Sequence, residues 1–98
     1  MPEFFEAYAE YSSVPWRTGP LDPKTKEFIY VAIDASTTHL HAEGLRIHMT
    51  NALRHGATLD ELVEVLQIVS CIGFQSWITG VRLLDEVAGE EAGNEALR

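Results

Sequence analysis

Residues 41–61 read H-A-E-G-L-R-I-H-M-T-N-A-L-R-H-G-A-T-L-D-E, and this stretch decides the fold. Leu45, His48, Met49, Ala52 and Leu53 recur at the spacing of one helical face. Gly56 closes that helix, because glycine adopts the left-handed conformation after a helix end without steric cost. Arg54 and His55, in its last turn, suit the negative end of the helix dipole. Thr58-Leu-Asp-Glu61 is a capping box that starts the next helix. Its polar residues Glu61, Glu64 and Gln67 recur every three, and Leu62, Val63, Val65, Leu66, Ile68 and Val69 fill the rest. Such a helix packs on at least two sides.

The same pattern extends outward. Pro2, Glu3 and Glu6 suit a helix start, and Phe4, Phe5, Tyr8 and Tyr11 form an aromatic stripe that Ser12–Pro15 should end. Residues 13–22 carry Pro15, Gly19 and Pro20 and read as a linker. Asp22-Pro23 caps a helix expected over residues 24–37. After Gly73 a last helix carries Phe74, Trp77, Ile78, Val81, Leu84 and Ala88 on one face. From Gly89 the polar tail is expected to fray. No strand pattern or internal repeat emerges, so the fold class is all-α, a bundle of five to six helices.

Composition narrows the function. The chain has 98 residues, 46% of them hydrophobic, with fifteen acidic against seven basic residues and a formal charge of −8. One domain spanning 1–98 is expected. The charge repels phosphate backbones and anionic surfaces, so neither nucleic acid nor membrane is an expected partner. The single cysteine, Cys71, permits no internal disulfide, and in its apolar setting reads as buried and inert. No apolar run reaches the ~20 residues of a membrane span, and no signal peptide is visible, so the expected location is the cytoplasm. The helices carry more apolar surface than so short a chain can cover, which predicts a homo-oligomer.

Candidate site residues follow. His41, His48 and His55 are seven apart, but successive members stand ~10.5 Å apart along a helix, too far to share one metal ion. His39-Leu40-His41 would need an added ligand, so no metal is expected. His48 lies on the inner face, where it is either a satisfied core histidine or a general acid or base, and spacing alone weighs these evenly. Glu27, Tyr30 and Asp34 share one face of their helix. Base rates favour a solvated stripe there; the functional alternative is a carboxylate exchanging a proton with His48 or His39. Trp77 reads as core or pocket wall, and Trp16, in its Pro/Gly setting, as a cap over a cleft or subunit contact.

Several segments together resemble one family. Leu21-Asp-Pro-Lys-Thr-Lys-Glu27, Gly44-Leu-Arg-Ile-His48, Asn51-Ala-Leu-Arg-His-Gly-Ala-Thr58, Glu61-Leu-Val-Glu64-Val and Gly73-Phe74 are similar, in order and spacing, to the carboxymuconolactone decarboxylase family and its alkyl hydroperoxidase D-like members. The resemblance covers about residues 21–88. It implies an all-helical fold assembled as trimers or hexamers, with sites near subunit contacts. The peroxidase branch carries a CxxC motif where this chain has His41 and Gly44. Dithiol exchange needs those thiols, so the resemblance implies the decarboxylase branch and not a peroxidase. It implies a cofactor-free lyase acting by acid–base chemistry on a small carboxylated or lactone-type metabolite. His48 would be the proton donor or relay, Glu27 its carboxylate partner and His39 a further polar group. His41, Arg46, Trp16 and Trp77 would contact substrate. The alternative is a non-catalytic helical oligomer that binds a small ligand or a protein partner.

Overall fold

The computed structural model describes residues 2–96 and is all-helical across them. Its elements are α1 (Pro2–Arg17), α2 (Pro23–Ala35), α3 (Ala42–Arg54), α4 (Leu59–Val69), a 3₁₀ turn (Ser70–Ile72) and α5 (Gln75–Ala96). The caps are where the sequence puts them. Asp22 accepts a hydrogen bond from the Thr25 N–H at 2.7 Å, with Pro23 in the first turn of α2. Thr58 and Glu61 exchange both bonds of the capping box, at 3.0 and 2.9 Å. Gly56, at φ 94°, turns the chain between α3 and α4 where a side chain would be strained.

α2 to α5 enclose the core. Val31 and Ala35 meet Leu45, Met49 and Ala52 of α3, Leu62, Leu66 and Val69 of α4, and Leu84 and Val87 of α5. Trp77 packs half-buried against this cluster. Arg46 binds Glu86 at 2.6 Å and Glu90 at 2.8 Å, and Arg54 binds Glu91 at 3.1 Å, lacing α3 to α5.

Four expectations are corrected. α1 does not stop at Ser12–Pro15 but runs to Arg17. Pro15 forfeits one backbone bond, while the Arg17–Glu10 ion pair at 2.9 Å and the Thr18 N–H to the Val14 carbonyl hold the last turns. α2 ends at Ala35, two residues early, because Ser36 turns extended. The tail expected to fray from Gly89 continues as α5 through Ala96, held through Glu90 and Glu91, whereas Leu97 and Arg98 lie outside the described residues. Cys71 is exposed, because the 3₁₀ turn lifts it off the core face of α4.

α1 stands apart. It buries none of its residues: Phe4, Phe5, Tyr8 and Tyr11 are 57–76% exposed. No described helix is long and apolar enough to cross a membrane.

Candidate acid–base site

The face Glu27–Tyr30–Asp34 of α2 turns inward against α3, not outward to water. Glu27 is 2% exposed and Asp34 6%. Glu27 meets His48 and Asn51, while Asp34, two turns on, meets the start of α3 at His41 and Gly44. The two helices therefore run antiparallel and clasp a polar seam. A buried carboxylate is costly without polar partners; Glu27 is hydrogen-bonded and Asp34 pairs with His39. Glu27 Oε2 lies 2.7 Å from His48 Nδ1, and Asn51 Nδ2 donates to Oε1 at 3.4 Å. Asp34 Oδ1 lies 3.1 Å from His39 Nε2. No buried side-chain nitrogen or oxygen among the described residues lacks a partner.

The geometry assigns the imidazole edges of His48. An ionised Glu27 only accepts, so His48 Nδ1–H donates to it and Nε2 faces the other way. Nε2 is 3.8 Å from Asp34 Oδ2, beyond hydrogen-bonding range. His48 keeps 17% of its side-chain surface exposed, so this edge remains reachable. Aromatic rings wall the site: Tyr30 stacks on His48 at 4.8 Å between centroids, and Trp16 stacks on Tyr30 at 4.8 Å and lies 5.8 Å from His48. Tyr30 also borders two open clefts of about 240 and 440 Å³ between α1 and α2. A His–carboxylate pair under an aromatic wall can move a proton at a small molecule held against those rings.

The family model that matches is that of the carboxymuconolactone decarboxylase family, over residues 2–86. The chain belongs to this family. A crystal structure from Burkholderia xenovorans LB400, of a protein described as a candidate gamma-carboxymuconolactone decarboxylase subunit, is similar at 49% identity and a TM-score of 0.68. The similarity covers 99% of this chain and 36% of that one, so the present chain spans little more than a third of its relative's length. No curated protein matches.

Within this carboxymuconolactone decarboxylase fold, the structure gathers Glu27, His48, His39, His41 and Trp16 at one seam. It does not gather Arg46, which is held by two glutamates of α5. Trp77 packs on the core, and the described rings stacked with His48 are Trp16 and Tyr30. Asp34 and Tyr30 join the seam although base rates favoured solvent for them. Asn51 escaped the sequence reading; its one signal was the three-residue step from His48, which puts both on one face.

Proposed function

We propose that the chain is a lyase subunit of the decarboxylase type, using the His48–Glu27 pair for acid–base chemistry on a carboxylated lactone. The observation that carries this reading is the 2.7 Å bond between a 2%-exposed carboxylate and an imidazole whose other nitrogen is left open. The family and the likeness to the Burkholderia decarboxylase subunit support the substrate class.

The chemistry balances without an oxidant. The bond between the ring carbon and its carboxylate breaks, and carbon dioxide leaves. The electron pair delocalises into the conjugated lactone as a dienolate. His48, as imidazolium, gives its Nε2 proton to carbon and is recharged from water. Glu27 fixes the orientation of the ring, as an orienting carboxylate does for a catalytic histidine. Tyr30 and Trp16 offer flat apolar surface to the ring. Arg46 has no part in this, because its guanidinium is engaged away from the seam.

Glu27→Gln keeps the shape and an acceptor but removes the charge. Carbon dioxide release from gamma-carboxymuconolactone is expected to fall about 10²-fold or more in kcat with little change in KM. An unchanged kcat in a folded variant contradicts the role of Glu27.

The exposed aromatic stripe of α1 favours a companion statement: the functional unit is a homo-oligomer, of trimer or hexamer type, in which α1 packs on another copy. If lactones are not turned over, the remaining reading is a non-catalytic oligomer that binds a ligand against Trp16 and Tyr30.

A further inference from the structure

We propose that Asp34, His39 and His41 form a binding site for a divalent first-row transition-metal ion of the zinc class, bordering His48. One ligand atom from each residue lies within 4.8 Å of the others. The set is two imidazoles and a carboxylate, a combination that suits such ions and leaves coordination positions open for water or substrate. Ligands on a common zinc ion, with bonds of ~2.0–2.1 Å, stand about 3.3 Å apart. The trio therefore closes by a modest turn of side chains. Both histidines are exposed and turn without displacing the core, while Asp34 is the fixed, buried anchor.

Three features of the backbone hold the trio together. The chain between α2 and α3 folds back so that the His41 N–H donates to the Asp34 carbonyl at 2.8 Å. Leu40 adopts φ 41°, a left-handed conformation that a leucine rarely takes, and thereby sets the rings of His39 and His41 5.4 Å apart, edge to face. Strain of this kind persists where the surroundings enforce it, and it clusters at functional sites. Gly44 completes the cradle: a Cβ there would stand 2.5 Å from Asp34 Oδ2 and 2.8 Å from His41 Nδ1. The His39-Leu40-His41 pair lacked a third ligand in the sequence, and Asp34, on another element, supplies it.

The proposal does not rest on the lyase reading, since ion binding needs no lactone. Asp34 Oδ2 faces His48 Nε2 across 3.8 Å, so an ion here would bring Lewis acidity to the open edge of the acid–base pair.

The test uses tag-free, chelator-stripped protein titrated with Zn²⁺ by calorimetry and with Co²⁺ by visible absorption. Saturable uptake of one ion per chain is expected, with cobalt ligand-field bands. His39→Gln and His41→Gln should each weaken binding by more than about tenfold, and His55→Gln should not. Both loop variants are exposed and retain the fold, which circular dichroism verifies; Asp34→Asn is a third, buried arm. Absence of saturable binding, or binding untouched by both loop variants, overturns the site. Ion binding by a chain that releases no carbon dioxide would leave this inference standing and remove only the lyase.

Discussion

Glu27 shows what a single buried side chain determines. Its carboxylate is sealed between α2 and α3 with one imidazole and one amide as partners, so its polar atoms stay satisfied only while His48 and Asn51 stay in place. Gly44 is the counterpart in backbone. Gly44→Ala would drive a methyl group into the Asp34 carboxylate, which is buried and cannot swing clear. A loss of about 1–3 kcal/mol is expected by urea unfolding, with the His39–Asp34 contact broken. A neutral alanine variant would mean that the seam yields more easily than its packing indicates. The stripe Glu27–Tyr30–Asp34 was legible in the sequence, but its direction was not. α2 is apolar around most of its circumference, so periodicity alone does not say which side faces a neighbour. Leu40 was illegible for another reason: no glycine or asparagine marked its left-handed turn.

Helix starts were the most legible elements, because their capping chemistry is local. Asp22-Pro23 and Thr58–Glu61 each name their own hydrogen bonds. Misreadings came where side-chain contacts override local signals: at Pro15, spanned by the Arg17–Glu10 pair within α1, and at Gly89, where Glu90 and Glu91 reach across to α3. The caps also set a pH dependence. The Thr25 backbone N–H holds the Asp22 carboxyl below its ordinary value, and the Thr58 backbone N–H, aided by Lys24, does the same for Glu61. A carboxyl depressed on folding stabilises the fold above its unfolded pKa, and that contribution fades as pH falls through the lower folded value. Urea midpoints should therefore fall as pH drops below the normal carboxyl range. The double variant Asp22→Asn, Glu61→Gln should show a shallower fall; a parallel curve would show that the acid loss originates elsewhere. Thr58→Ala should cost about 1 kcal/mol at neutral pH.

At the scale of the molecule, α1 is the element that the chain's own core leaves uncovered. Tyr8 and Tyr11 of its aromatic face share a cleft with Tyr30, which stacks on His48, and this links any partner of α1 to the site. The pair Phe5→Glu, Tyr8→Glu should convert an oligomer to smaller species by light scattering after gel filtration, while the far-ultraviolet helix signal is retained. A monomeric wild-type chain would contradict that account of α1. The helical fold and the family were legible in the order of short motifs. The resemblance paired Glu27 with His48, but the burial of two carboxylates between α2 and α3 was not legible, because it arises from packing between segments 21 residues apart.

The most direct test is carbon dioxide release from gamma-carboxymuconolactone by the wild-type chain and by His48→Gln, compared at equal thermal stability. Wild type should release carbon dioxide, and the variant should be slower by about 10²–10⁴-fold. Equal release by both, or none from wild type, would contradict the claim that His48 and Glu27 make this seam a decarboxylating site.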